Sequence, residues 1–95
     1  MNKEQAYEEK MDAQLREWQA ELDRLQARAD KMEADAKVEY YKNIEDLRKK
    51  YMTAQQRLED LKRAGGEAVD ELKNGVETAF GDMKQAVAHA LSHFA

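Results

Sequence analysis

The sequence contains no cysteine and no proline, and only four of its 95 residues are glycine. Without cysteine the chain has neither a disulfide framework nor thiolate chemistry. Without proline, no residue type in the chain forces a helix to kink or stop. No stretch approaches the roughly 20 apolar residues of a membrane span. These absences favour a helical chain that is exposed to water along much of its length.

The N-terminal residues Met1 to Gln5 lack the apolar run of a secretory signal, so a cytoplasmic location is expected. Asn2 is a plausible N-cap because its side chain can accept from the backbone three residues later. Gln5 stands at that position and can return the hydrogen bond. We therefore expect a helix to begin at residue 3.

The composition favours one narrow domain over residues 1–95. Charged residues make up 38% of the chain and the mean hydropathy is −0.98. So polar a sequence has too little apolar area for a thick globular core, but a seam between helices needs less. Disorder is the competing interpretation for such a composition. The sustained apolar periodicity described next argues against it.

Apolar residues in segment 1–36 recur at alternating steps of four and three. This 3.5-residue period is typical of a coiled-coil seam, in which one stripe of each helix faces a partner. We interpret the stripe as an oligomerisation seam, for a second copy or for a partner helix. Its larger members are Met11, Leu15, Trp18, Leu22, Leu25 and Met32.

The phase of the stripe slips near Ala36 by one extra step of four residues. Such a stutter locally unwinds a coiled coil without ending its helices. Because residues 33–43 contain no glycine or proline, we predict one long helix over residues 3–64. The alternative is a break near Ala36, which would divide the chain into a three-helix bundle.

Gly65 and Gly66 form the strongest turn signal, since adjacent glycines are costly inside a helix. Segment 37–64 holds eight basic and five acidic side chains, whereas segment 65–95 holds two and five. A fold-back at the glycines would lay the acidic segment along the basic one. We therefore predict an all-α antiparallel hairpin, with a second helix over residues 67–94. A continuous helix through the glycines is the alternative.

The C-terminal segment carries a degenerate 11-residue repeat. Leu58-Glu-Asp-Leu-Lys62 recurs as Val69-Asp-Glu-Leu-Lys73 and then as Phe80-Gly-Asp-Met-Lys84. Eleven residues make almost three helical turns, so one face of the helix is apolar. We expect that face to pack on the middle segment. The predicted hairpin core consists of Tyr40, Ile44, Leu47, Tyr51, Leu58, Leu61, Val69, Leu72, Val76, Phe80, Met83, Val87 and Leu91.

The tail resembles that of small uncharacterised bacterial coiled-coil proteins, which carry Gly-Glu-Ala-Trp, Leu-Lys, Gly, Ala-Trp and Leu-Lys in order. The matching positions here are Gly66-Glu67-Ala68-Val69, Leu72-Lys73, Gly75, Ala79-Phe80 and Met83-Lys84. The 11-residue period is also similar to that of exchangeable apolipoprotein helices. Neither resemblance implies catalytic residues. A role in stress adaptation is the hypothesis that accompanies the bacterial resemblance.

Few side chains suggest chemistry. His89 and His93 are four residues apart and could lie on one helix face as weak candidate metal ligands, but a helix C-terminus favours such cations anyway. The bases of the middle segment alternate with acids, so intramolecular pairing is favoured over nucleic-acid binding. No catalytic motif, cofactor site or small-molecule pocket is indicated. We expect a non-enzyme.

Two functional classes are compatible with these features. The first is a coiled-coil scaffolding protein that self-associates, or binds a partner helix, through segment 1–36. The second is a peripheral protein whose amphipathic tail coats a lipid or polymer-granule surface. Interfacial helices usually carry a lysine-rich polar face. Because the tail has only Lys73 and Lys84 against five acids, the first class is favoured.

Overall fold

The computed structural model describes residues 2–64, 66 and 68–94, with the side chains of residues 93 and 94 excepted. Three helices account for nearly all of these residues: α1 (Lys3–Asp30), α2 (Ala34–Arg63) and α3 (Val69–Phe94). The all-α prediction is confirmed. The arrangement is a three-helix bundle rather than one long helix with a fold-back.

The start of α1 follows its sequence signal. The Asn2 side chain accepts a hydrogen bond from the Gln5 backbone N–H at 2.8 Å, and the Asn2 N–H donates to the Gln5 side chain at 3.3 Å. This reciprocal pair satisfies two backbone donors that the first helical turn leaves without partners. The predicted N-cap is confirmed.

The predicted continuous helix over residues 3–64 is wrong, because the chain reverses at residues 31–33. Lys31 keeps a right-handed conformation, with φ −95° and ψ −3°, and donates its N–H to the end of α1. Glu33 is extended, with φ −69° and ψ 153°, and begins α2 without a side-chain cap. The break lies a few residues before Ala36, where the sequence suggested it as the alternative.

Burial explains why the chain turns here without glycine or proline. A straight helix would leave the α1 stripe in water, whereas the turn buries it, with Leu22 only 1% exposed. Each large apolar side chain that becomes buried contributes about 1.5–3 kcal/mol. The few helix hydrogen bonds missing at the turn are worth about 0.5–1.5 kcal/mol each. Long-range packing therefore outweighs local helix preference.

The second reversal lies where the glycine signal predicts it. Gly66 has φ +100° and Ala68 has φ +59°, both in the left-handed region. Glycine adopts such angles without a steric penalty, whereas alanine does so at a cost. Gly65, the other predicted turn residue, lies outside the described residues. The observed turn thus depends on left-handed backbone at two positions.

The three helices run up, down and up within an envelope of 50 × 22 × 19 Å. α2 packs closely against both neighbours. Along α1 and α2, Asp12 meets Lys62 and Gln26 meets Arg48, which makes these helices antiparallel. α3 runs back along α2, since Gly75 lies beside Arg57 while His89 lines the same groove as Asn43. α2 is therefore the central element.

One apolar core runs along the bundle and contains most of the residues predicted for the hairpin. Tyr51, Val69 and Leu72 are only partly buried and pack against its edge. The predicted positions that are buried are Tyr40, Ile44, Leu47, Leu58, Leu61, Val76, Phe80, Met83 and Val87. Periodicity therefore identified the inward faces of α2 and α3 over most of their length.

Leu91 is a wrong core assignment, because 38% of its surface is exposed. Ala90, three residues after Val87, takes the inward position instead and is 4% exposed. The buried face of α3 thus keeps the alternating three- and four-residue spacing of a heptad. The 11-residue repeat instead predicted a step of four residues, from Val87 to Leu91. Alanine also fills tight positions elsewhere, with Ala29 and Ala54 both 0% exposed.

Candidate interaction site

The stripe of α1 lies in the groove between α2 and α3, and this groove is the candidate site of interaction. Met11, Leu15, Trp18, Leu22 and Leu25 are each no more than 7% exposed. Met32, the last residue of the predicted seam, is partly buried at the edge of the core. The seam residues are therefore brought together on one face, as the heptad spacing predicts.

The partner of this stripe belongs to the same chain. The interpretation of the stripe as a seam for a second copy or a partner helix assumed no partner within the chain. That assumption is wrong, because the chain turns at residues 31–33. That turn folds α1 back, so the groove that a second chain was expected to provide is formed by α2 and α3. Association between chains stays a prediction.

An aromatic contact lies near the middle of the groove. The rings of Trp18 and Phe80 have centroids 5.2 Å apart and planes tilted by 50°. Tilted aromatic pairs at this distance contribute about 0.5–1.5 kcal/mol beyond their buried area. This contact joins α1 to α3 directly through two large side chains.

Polar contacts fix the register between α1 and α2. Lys62 Nζ lies 2.9 Å from Asp12 Oδ2, and Arg48 donates to the Gln26 side chain at 3.3 Å. The hydrogen bond to Asp12 raises the pKa of Lys62 above its ordinary value. Because both side chains of the ion pair are about one-third exposed, it contributes about 0–1 kcal/mol. Its role is alignment more than stability.

A second polar contact joins α1 to α3 near the Gly66 turn. The Tyr7 hydroxyl donates to Glu77 Oε1 at 2.7 Å, and Lys73 Nζ lies 4.7 Å from the centre of the Tyr7 ring. Burial, followed by the carboxylate of Glu77, raises the pKa of Tyr7 above its ordinary value. Sequence analysis missed this contact because residues 7 and 77 are too distant for any local pattern.

The other end of the bundle, next to residues 31–33, carries a third polar group. The Tyr41 hydroxyl donates to Asp30 Oδ1, and Lys37 Nζ donates to the Asp30 carbonyl oxygen at 3.2 Å. The hydrogen bonds from Tyr41 and Gln26 lower the pKa of Asp30, while Asp30 raises the pKa of Tyr41. These bonds hold the C-terminal end of α1 against the first turns of α2.

The weak metal candidates are not assembled into a ligand set. His89 is exposed on α3 beside a shallow groove that also contains Asp46 and Asp82. The side chain of His93 lies outside the described residues. Among the side chains that the structure describes, no three histidines or carboxylates are grouped to hold a metal ion.

The basic residues of α2 are divided among different contacts. Lys62 pairs with Asp12, Arg48 bonds Gln26, and Lys49 lies 3.9 Å from Glu45. Tyr40, which lies on the same helix, is a core residue with 1% exposure. These three bases therefore take part in separate local and interhelical contacts along α2.

A small cavity lies between the N-terminal turns of α1 and the Gly66 turn. Its wall includes both acidic and basic side chains, among them Glu4, Glu8, Lys62 and Lys73. Such mixed charge offers a ligand no single electrostatic preference. Over the described helices, no segment is long and apolar enough to cross a membrane.

Comparison with known proteins gives no relative from which a site could be transferred. No protein-family model matches the chain, and neither a curated protein nor a solved structure was found to be significantly similar to it.

Proposed function

We propose that this chain is a non-enzymatic interaction module in which α2 and α3 form a receiving groove for an amphipathic helix. The observation that carries this proposal is the docking of α1. One stripe, centred on Leu22 at 1% exposure, supplies its apolar contacts. The outer face of α1 is polar and exposed. A helix in another chain with the same stripe would present the same surface to the groove.

The polar contacts around the groove support recognition of a helix. Lys62 and Arg48 lie on α2, Glu77 lies on α3, and each contacts a side chain of α1. Polar contacts of this kind set partner choice and register more than affinity. A partner helix that carries an acid, an amide and a tyrosine at the spacing of Asp12, Gln26 and Tyr7 would satisfy all three.

The side chains with shifted pKa values take part in structural contacts between helices. Tyr7 bonds Glu77, Asp30 bonds Tyr41, and Lys62 bonds Asp12. A catalytic acid or base needs a shifted pKa inside a site that can also hold a substrate. Here the shifts arise from contacts that align the helices, which supports an interaction role over an enzymatic one.

The groove can be tested by complementation in trans. Leu22→Ala in the full chain should weaken docking of α1, because it removes buried volume worth about 2–5 kcal/mol. A peptide of residues 2–30 with Leu22 intact should then occupy the groove and raise the unfolding temperature of the variant. The matched peptide with Leu22→Asp should have no effect. Equal results with both peptides would contradict the proposal.

Coating of a lipid or granule surface has less support in this geometry. Val76, Phe80 and Met83, which would face the lipid, are at most 5% exposed in the bundle. Surface coating would therefore require the bundle to open. Two results together would favour this alternative. The intact chain would co-sediment with anionic vesicles, and the peptide of residues 2–30 would fail to complement the Leu22→Ala variant.

A further inference from the structure

The connection between α1 and α2 contains no residue with a left-handed φ angle. Lys31 is right-handed, and Glu33 has a helical φ with an extended ψ. Lysine, methionine and glutamate, the three residues of the connection, are all good helix formers. Bringing Glu33 into a helix requires mainly a change of its ψ angle. No residue of the connection opposes a straight helix through residues 31–33.

Straightening would bring the two apolar stripes onto one face. Ala29 is the last buried residue of α1, and Tyr40 is the first of α2. Eleven helical residues rotate by about 1,100°, which is three turns and about 20° more. Two such straight chains could therefore lie face to face along both stripes.

The observed contacts also fix a symmetric register for such a pair. Residues 12 and 62 are in contact, and so are residues 26 and 48. In both pairs the midpoint is residue 37. If the same contacts form between two straight antiparallel chains, a twofold axis passes at residue 37, and both pairs are satisfied twice.

The length of α3 fits the same arrangement. Gly75 lies beside Arg57, so in an antiparallel pair residue 94 lies roughly level with residue 38 at 1.5 Å per residue. α3 ends at Phe94. The described residues of α3 therefore reach up to the proposed axis without passing it.

We infer that two copies of this chain exchange their α1 helices, each straightening residues 31–33 into one helix over residues 3–63. Each α1 then occupies the α2–α3 groove of the other copy, so this inference rests on the proposed function. The contacts of Trp18 with Phe80 and of Tyr7 with Glu77 re-form between chains. Because the core contacts are the same in both states, the exchange is governed by concentration and by the connection.

α1 is the helix that we expect to exchange. The other connection holds Gly66 and Ala68 at left-handed φ angles, which no α-helix contains. α3 therefore stays with the α2 of its own chain. The exchanged unit is the helix whose connection keeps negative φ angles throughout.

The test uses the full-length chain and a proline that fits the turn but not the straight helix. Ala34 is the first residue of α2, and Glu33 before it is extended, as a residue before proline prefers. In a straight helix, proline at 34 would remove a backbone hydrogen bond and clash with the preceding turn. Lys3→Pro is the matched control, because it places proline at the first position of α1, away from the connection.

Both variants and the parent chain are annealed at about millimolar concentration and measured by sedimentation equilibrium. We expect a dimer for the parent and for Lys3→Pro, and an association constant at least tenfold lower for Ala34→Pro, with unchanged helix content. In a dimer made from equal amounts of ¹⁴N- and ¹⁵N-labelled parent chain, carbodiimide cross-links between Asp12 and Lys62 should join light with heavy peptides.

Two results would overturn the exchange. One is a parent chain that stays monomeric after annealing, and the other is a dimer whose Asp12–Lys62 cross-links stay within single chains. Neither result bears on the complementation assay, which tests the α2–α3 groove separately. A groove that binds the α1 peptide while the chain never exchanges helices would refute this inference alone, and failure of both would refute the proposed function too.

Discussion

The connection at residues 31–33 and the connection at residues 64–68 both reverse the chain, but they do so with different backbone conformations. The first uses right-handed and extended angles that any residue adopts. The second places Gly66 and Ala68 in the left-handed region. The first turn is thus imposed by packing of distant residues, whereas the second combines a local glycine signal at Gly66 with a left-handed alanine at Ala68. The two outer helices are attached to α2 in correspondingly different ways.

The largest expected effect comes from removing the packing that imposes the first turn. Leu22→Asp should lower the free energy of unfolding by about 3–5 kcal/mol, because it deletes a buried side chain and places a carboxylate in the core. Denaturant unfolding followed by circular dichroism measures this loss. Met52→Asp is the control, since Met52 is 66% exposed on α2, and it should change stability little.

The comparison also predicts where Leu22→Asp acts first. Amide exchange should become faster in α1 and at residues 31–33 before it does so in α3. A variant that lost protection equally in all three helices would show that the first turn is not separately dependent on α1 packing.

Substitutions within the second turn should have smaller effects, of opposite sign. Gly66→Ala should destabilise by about 1–2 kcal/mol, because φ +100° is unfavourable for alanine although the space around it is open. Ala68→Gly should stabilise by about 0.5–1 kcal/mol, because it relieves the left-handed alanine at φ +59°. Thermal unfolding of both variants measures the difference.

Equal, small effects of these two variants would mean that the second turn is also imposed by packing. The comparison between the connections would then fail. Thr53→Ala, on the exposed face of α2, provides a reference for the background effect of a surface change.

The smallest expected effects are those of pH, and they separate the two ends of the bundle. Tyr7, near the second turn, has a raised pKa. The stability it contributes is present below its unfolded value of 10.0 and is lost as pH rises towards the folded pKa. Asp30, beside the first turn, has a lowered pKa, so its contribution is present above its unfolded value of 3.8 and is lost as pH falls below that value.

Phenylalanine variants test this assignment. Tyr7→Phe should flatten the alkaline loss of stability and leave the acid loss unchanged. Tyr41→Phe removes the donor to Asp30, so it should flatten the acid loss. Because Tyr41 also has a raised pKa, its variant should reduce the alkaline loss as well. Stability measured from pH 3 to pH 11 in each variant distinguishes the two ends, and an unchanged acid loss in Tyr41→Phe would contradict the role given to Asp30.

Periodicity predicted the helical content and most inward faces because both depend on the spacing of apolar residues that are near one another in the sequence. Leu22, Leu58 and Met83 are buried as expected. The break at residues 31–33 could not be predicted in the same way, since its cause is burial against residues far along the chain. The Tyr7–Glu77 contact was missed for the same reason. The candidate groove thus contains predicted residues in an arrangement that only the tertiary structure defines.

The fully buried alanines have a consequence for how this sequence can change over generations. Ala29 and Ala54 are 0% exposed, so a larger side chain at either position would have to displace a neighbouring helix. Most of the charged exterior has no such restriction. Other sequences with the same bundle are therefore expected to drift freely outside while keeping small residues at these positions. Homologous sequences would be recognised better by the spacing of those small residues than by overall sequence identity.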